Sequence, residues 1–171
     1  VKALILGAVR SGKSRRAGDM AGLSGAAVTL IVTGAALDEE MAARIEAHRR
    51  TRPAHWQVVE ESLHLGRALR AVAAADRAII VDCLTLWVTN LLCGPDPEQL
   101  DVEIDDLLDA LASLPGHCLF VANEVGLGIM PVNALARRFA DVAGALHQRL
   151  ATVCDRVEFM VAGLPLRVKP T

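Results

Sequence analysis

The segment Leu4-Ile5-Leu6-Gly7-Ala8-Val9-Arg10-Ser11-Gly12-Lys13-Ser14 concentrates the chemistry of this chain. Gly7–Ser14 fits the spacing G-x-x-x-x-G-K-[ST], with an aliphatic run before it and a helix-compatible stretch, Arg15 to Gly22, after it. Gly7 and Gly12 permit a tight backbone curl whose N–H groups converge on phosphate oxygens. The helix N-terminus adds a partial positive charge at the same place. Lys13 is spaced to span the β- and γ-phosphates, and the Ser14 hydroxyl to ligate Mg²⁺. The alternative is an ordinary glycine-rich βα turn. The flanking strand and helix favour a P-loop that holds a nucleoside triphosphate.

Other polar residues close apolar runs, as ligand-facing residues do at the carboxyl edge of a parallel sheet. Thr33 ends Val28–Thr33, Asp82 ends Ala78–Asp82, and Asn123 with Glu124 follows Cys118–Ala122. Asp82 has the form of a Walker B carboxylate that holds Mg²⁺ directly or through water. It is also a competent N-cap for the helix after it. Asn123-Glu124-Val125-Gly126-Leu127-Gly128 is a polar pair before a flexible turn, and by itself it reads as a loop with a solvated glutamate. Arg137, Arg138 and Asp141 have the spacing of a surface charge pair.

A second chemical centre is spelled by Asp38 to Arg50. Asp38 can cap a helix there, and Glu39 and Glu40 suit its positive end. Met41, Ile45 and His48 share one stripe, with Arg44 one turn before His48 and Arg49, Arg50 and Arg52 after it. One reading is a partly buried histidine beside solvated arginines. The other is a nucleophile in an arginine cluster. Neighbouring cations disfavour imidazolium, and neutral imidazole is the form that attacks phosphorus. The arginines would then hold the triphosphate and its developing charge. His55, His64, His117 and His147 have no comparable setting.

The elements that must position these groups are short apolar runs alternating with amphipathic stretches. Strands are expected at Lys2–Leu6, Val28–Thr33, Ala78–Asp82, Cys118–Ala122 and Val157–Ala162, with weaker signals at Gln57–Glu60 and Leu166–Val168. Helices are expected at Lys13–Gly22, Glu39–Arg49, Ser62–Ala75, Cys83–Leu92, Glu98–Leu114 and Asn133–Thr152. Strands apolar on both faces and separated by helices indicate an α/β fold, a mostly parallel sheet of the P-loop NTPase kind with helices on both faces. The tail lacks a further long helix, so the last strands are expected to form an antiparallel hairpin around Gly163-Leu164-Pro165. Gly94-Pro95-Asp96-Pro97 is a helix-stopping turn.

A length of 171 residues suits one domain spanning the chain, and 53% hydrophobic residues suffice for a buried aliphatic core. Aromatic residues make up 3% and net charge is −2, which argues against a basic, aromatic groove for nucleic acid. The apolar runs are too short to span a bilayer. Residues 1–10 carry the P-loop motif in place of a signal sequence, so a cytoplasmic protein is expected. Cys83, Cys93, Cys118 and Cys154 have no zinc spacing and read as reduced thiols.

Taken together, several segments resemble the bifunctional adenosylcobinamide kinase / adenosylcobinamide-phosphate guanylyltransferase family of cobalamin biosynthesis. They are Gly7–Ser14, Asp38–His48, Arg52-Pro53, Glu60, Asp82-Cys83-Leu84-Thr85 and Thr89-Asn90-Leu91-Leu92. Asn123-Glu124-Val125-Gly126-x-Gly128-Ile129-x-Pro131 is the most distinctive, and Arg138-Phe139-x-Asp141 and Gln148-Arg149-Leu150-Ala151 complete the set. The resemblance implies two reactions in one site. A triphosphate, ATP or GTP, phosphorylates the aminopropanol hydroxyl of a corrinoid; GTP then gives GMP to that phosphate and releases pyrophosphate. It places the guanylylated histidine at His48. It places nucleotide contacts on Gly7, Ala8, Val9, Arg10, Ser11, Gly12, Lys13 and Ser14, on Val32, Thr33 and Gly34, on Arg49, Arg50, Thr51 and Arg52, and on Glu60 and Asp82. It also implies a homotrimer. Two positions depart from the family pattern: Ala8 stands where a second glycine is usual, and His147 where asparagine is usual. The sequence also leaves room for a P-loop kinase of another small metabolite, or a nucleotide-dependent switch.

Overall fold

Leu4 and its neighbours Ala3 and Ile5 are all fully buried, yet they enter two different cores. That follows from the period of two along a strand whose two faces are both covered. The computed structural model describes residues 1–34 and 53–169. Within them the strands are β1 Lys2–Gly7, β2 Ala27–Val32, β3 Gln57–Glu60, β4 Arg77–Asp82, β5 His117–Asn123, β6 Arg156–Val161 and β7 Leu164–Lys169. They form one sheet in the order β3-β2-β4-β5-β1-β6-β7. All neighbours are parallel except the closing pair β6 and β7. The expected helix Glu39–Arg49 lies outside the described residues.

The helices are α1 Lys13–Leu23, α2 Leu65–Val72, α3 Leu84–Cys93, α4 Leu100–Ser113 and α5 Ala134–Val153. Ala17 and Ala21 of α1 pack with Ile5, Leu119, Val121 and Met160 on one side of the sheet. Leu65, Leu69, Trp87, Leu107 and Leu146 from the other four helices cover the opposite side, against Leu4 and Phe120. Trp87 spends its indole N–H on the Leu63 carbonyl at 2.7 Å, so its ring is buried without a stranded donor. No helix among the described residues is long and apolar enough to cross a membrane.

Three expected boundaries moved for local reasons. The helix expected at Ser62–Ala75 begins only at Leu65, because the Glu61 carboxylate accepts the N–H groups of Leu63 and His64, each at 2.9 Å. A 3₁₀ turn, Pro97–Gln99, precedes α4, so Glu98 is not in the α-helix. The hairpin expected around Gly163-Leu164-Pro165 forms, with its turn one residue earlier, at Ala162 and Gly163, both with positive φ. Pro165 instead lies within β7, where a missing N–H is tolerated because β7 is a sheet edge.

Lys169, the last residue of β7, reaches back to the end of α5. Its Nζ donates to the carbonyls of Ala151 at 2.9 Å, Thr152 at 3.3 Å and Cys154 at 2.7 Å. The last turn of α5 has no basic residue of its own, so this cation supplies the charge that its negative end favours. Lys169→Met should lower stability by about 1–2 kcal/mol. In urea that appears as a lower midpoint at unchanged slope. An unchanged midpoint would remove Lys169 from the account of α5.

Candidate active site

The buried run of β1 stops at Gly7, and the chain then curls into α1. Gly7 has φ 152° and Gly12 has φ 97°, both in the region that favours glycine. A Cβ on Gly7 would stand 2.7 Å from Ser11 Oγ and 2.8 Å from the Met160 carbonyl oxygen, so the loop closes on β6 without room for a side chain. Arg10 takes φ 56° and is the loop's non-glycine in left-handed backbone. Ala8 has no positive φ, so alanine stands there without backbone strain. The N–H of Gly163, in the β6–β7 turn, donates to Ser11 O at 3.0 Å and braces the loop from below.

Lys13 is 7% exposed and folds over this loop, donating from Nζ to Ala8 O at 2.6 Å. Burial lowers its pKa, and the nearby Cys83 and Asp82 oppose that shift. Ser14 Oγ approaches Asp82 Oδ1 to 3.5 Å, which joins the P-loop helix to the end of β4. Cys83, not Asp82, occupies the N-cap position of α3, and no side chain caps that helix. The Asp82 carboxylate is therefore turned toward Ser14 rather than spent on the helix.

Neighbouring strand ends come level here. Val32 pairs with both Glu60 and Asp82, and Gly7 pairs with Asn123. Thr33 is fully buried; its hydroxyl donates to Cys83 O at 2.6 Å and accepts from Cys83 N at 3.0 Å. Asn90 Nδ2 holds the Thr33 carbonyl at 2.7 Å and the Ser62 carbonyl at 3.1 Å. Both polar groups of Thr33 thus strap β2 to β4 and α3, and Gly34 follows directly. On the other side, Thr85 Oγ1 accepts from Asn123 N at 2.7 Å, and Gly7 O accepts from Glu124 N at 3.1 Å. Glu124 Oε1 accepts from Gly126 N at 2.6 Å, while Oε2 lies 4.0 Å from Nδ1 of the buried His147. Burial lowers the His147 pKa against the opposing pull of Glu124. Arg137, expected in a surface charge pair, donates to the carbonyls of Pro131 and Val132 and ties down the end of that loop. Gly7, Ser11, Lys13, Ser14 and Asp82 are thus brought together, with Val32, Thr33 and Glu60 along the same edge. His48, Arg49, Arg50, Thr51 and Arg52 lie outside the described residues.

A family model described as cobinamide kinase / cobinamide phosphate guanyltransferase matches residues 3–168. The chain belongs to this family. It is 54% identical over 166 residues to the bifunctional adenosylcobalamin biosynthesis protein CobP of Pseudomonas aeruginosa, covering 97% of this chain and 96% of that one. It is 43% identical over 179 residues to the bifunctional adenosylcobalamin biosynthesis protein CobU of Salmonella typhimurium, covering 97% and 98%. Among solved structures, the RadB recombinase aligns at TM-score 0.51 with 16% identity, over 93% of this chain and 73% of that one. A Pyrococcus horikoshii protein, PH0250, aligns at TM-score 0.57 with 9% identity, over 99% and 86%. These two likenesses concern the fold alone, a P-loop NTPase-like sheet.

Two features of the cobinamide kinase fold seen here escaped the sequence reading. One is the contact of the β6–β7 turn with Ser11. The other is a buried ion cluster, in which Arg16 donates to Glu158 from Nε at 2.7 Å and from Nη2 at 2.8 Å. A glutamate in the middle of the apolar run Val157–Val161 was the available signal for it.

Proposed function

We propose that the protein phosphorylates adenosylcobinamide with a nucleoside triphosphate. It then transfers GMP from GTP to the new phosphate, giving adenosylcobinamide-GDP in cobalamin biosynthesis. The observation that carries this reading is the closed P-loop with Lys13, Ser14 and Asp82 gathered at adjoining strand ends, in a chain of the cobinamide kinase family.

In the first reaction the loop N–H groups and Lys13 hold the β- and γ-phosphates, and the corrinoid hydroxyl displaces the nucleoside diphosphate at the γ-phosphorus. Lys13 exchanges its bond to Ala8 O for phosphate oxygens. In the second, His48 bonds to the α-phosphorus of GTP and expels pyrophosphate. The corrinoid phosphate then takes the GMP from His48, which returns free. Arg49, Arg50, Thr51 and Arg52 hold the triphosphate beside it, and Val32, Thr33, Gly34 and Glu60 meet the nucleoside. Thr33 and its neighbours contribute shape, since the Thr33 hydroxyl is already paired.

The residues present fit Mg²⁺. A hydroxyl and a carboxylate 3.5 Å apart are hard oxygen donors, as Mg²⁺ requires. No cluster of three His, Cys, Asp or Glu forms among the described residues, so phosphate oxygens and water would fill the rest of its shell. Bound there, Mg²⁺ would neutralise charge on the transferring phosphates. A single catalytic domain acting as a cytoplasmic homotrimer belongs to the same proposal.

α-Labelled GTP tests the covalent step. The protein should acquire an acid-labile, alkali-stable label. His48→Ala should lose that label and lose GMP transfer by about 10⁴-fold or more, while phosphorylation of adenosylcobinamide continues. A wild-type protein that takes up no label, yet phosphorylates the corrinoid, would be a kinase only.

A further inference from the structure

An open cavity of about 450 Å³ lies between α3, α5 and the loop that follows β5. Thr85 and Cys93 of α3, Val125 and Pro131 of the loop, and Phe139 of α5 are among its walls, and no charged side chain lines it. Leu127, Ile129 and Met130 of the same loop stand out in solvent, Ile129 at 98% exposure. The loop is the most distinctive segment of the sequence, and none of the phosphate chemistry above uses it.

Two of its walls lie within three residues of strand ends at the phosphate site. Gly7 O accepts from Glu124 N, and the next residue, Val125, is cavity wall. Asp82 faces Ser14, and three residues on, Thr85 is wall as well, while its hydroxyl accepts from Asn123 N. The cavity therefore borders the two strand ends that carry the phosphate site. A wall without charge suits neither a triphosphate nor a cation. It suits methyl-bearing carbon, with Thr85, Thr89 and Asn133 as its uncharged polar walls. A space of this size is too small to enclose a tetrapyrrole-like macrocycle, but it accepts an edge of one, and the exposed apolar loop continues the contact outside.

We propose that this cavity is the acceptor subsite. It takes the apolar edge of the corrinoid ring and so directs the side-chain hydroxyl toward Lys13, Ser14 and Asp82. The assignment rests on the reading of the protein as a cobinamide kinase.

Cys93 provides a probe independent of activity. It is the exposed cysteine of the four; Cys83 is half-buried, and Cys118 and Cys154 are buried. Alkylation of Cys93 by iodoacetamide is followed by peptide mass spectrometry in the intact protein. Adenosylcobinamide, at a concentration that saturates its phosphorylation in the presence of ATP, is added without nucleotide. Alkylation should slow about tenfold, the protection that nine-tenths occupancy gives. GTP alone should leave the rate unchanged. Turnover of the corrinoid without protection of Cys93 overturns the subsite and leaves the kinase reading intact. No turnover at any concentration overturns the kinase reading, and the subsite with it. Protection by GTP alone assigns the cavity to the nucleoside. A Cys93 that resists alkylation without ligand, or becomes resistant as protein concentration rises, assigns it to a second copy of the chain. Either of those results overturns the proposal. As a second variant, Ala140→Leu narrows the cavity from α5. It should raise the KM for the corrinoid about tenfold and leave the nucleotide KM unchanged. A rise in both, or in neither, speaks against the subsite.

Discussion

Lys13→Met should lower kcat/KM for phosphoryl transfer by about 10³-fold while leaving the nucleotide-free protein at least as stable as the parent. Both halves follow from where the amine sits. Lys13 is almost wholly buried, and its amine donates to a loop carbonyl, its one hydrogen bond among the described residues. Burial disfavours its charge and holds its pKa below the ordinary 10.5. The sign is that of a cation strained by the fold. Below its lowered pKa the charged amine costs stability, and the cost fades as pH rises from that value toward 10.5. Methionine keeps the stem and discards the charge, so thermal unfolding of the apo variant should occur at or above the parental temperature. A bound triphosphate reverses the balance, because phosphate oxygens favour the protonated amine. Nucleotide affinity should therefore weaken as pH rises through the lowered pKa, before an exposed lysine would lose its proton. Titration calorimetry across that range reads the effect, and Lys13→Arg should lack it. A variant that retains activity within tenfold would take Lys13 out of the mechanism.

The P-loop could be read from the sequence because every part of it is local. Two glycines, a lysine and a serine lie within eight residues, and the strand and helix beside them are continuous in the chain. Asp82 was legible for the same reason, as the polar end of an apolar run. Its alternative role as an N-cap was a fair competitor, and only the placement of Cys83 at the head of α3 separates the two. The strands of the sheet were found nearly to the residue, since burial on both faces leaves continuous aliphatic runs. The start of α2 was not, because the turn in which Glu61 takes the N–H groups of Leu63 and His64 comes before the helix, which begins at Leu65. The hairpin turn was displaced for a similar reason. Pro165 looked like a turn residue, but an edge strand accepts it, and the positive φ values fell on Ala162 and Gly163.

What the sequence could not reveal is what depends on distant partners. Thr33 seemed a ligand-facing strand end, yet its hydroxyl and carbonyl are both engaged, by Cys83 and Asn90, some fifty residues away. Arg137 looked like a surface charge and proves to hold the loop that walls the cavity. Departures from the family pattern were visible but not interpretable. The structure gives Ala8 an unstrained backbone and puts His147 beside Glu124 in a buried setting.

Glu158→Gln should destabilise the fold by about 3–5 kcal/mol, the loss typical of breaking a buried ion pair from one side. For a protein of this size that is a fall of roughly 10 °C in melting temperature. Glu158 is 0% exposed. It receives two hydrogen bonds from Arg16, and Arg156 Nη2 lies 2.5 Å from Oε1, the oxygen that Arg16 Nη2 also reaches. The hydrogen bonds from Arg16, helped by the charges of both arginines, outweigh burial and hold the carboxyl below its ordinary 4.5. A depressed carboxylate pKa contributes stability that is fully present above the unfolded value and lost as pH falls through the folded one. The gap in melting temperature between parent and Glu158→Gln should therefore be widest at neutral pH and close in acid. Glutamine removes the carboxylate that both partly buried guanidinium groups face, leaving Arg16 only the charge of Asp19 nearby, which is why the single substitution is costly. Replacing Arg16 and Glu158 together by methionine should recover part of the loss, because the helix-to-sheet contact becomes apolar and only Arg156 is left unpaired. If the double variant melts no higher than the single one, the loss has another origin. The consequence for catalysis follows from the address of Arg16, two residues after Ser14 in the first turn of α1. The cluster fixes that turn against β6, the same strand whose turn braces Ser11. Loosening it should raise the nucleotide KM at temperatures where the variant is still folded, and a variant that melts early yet binds nucleotide normally would confine Glu158 to stability.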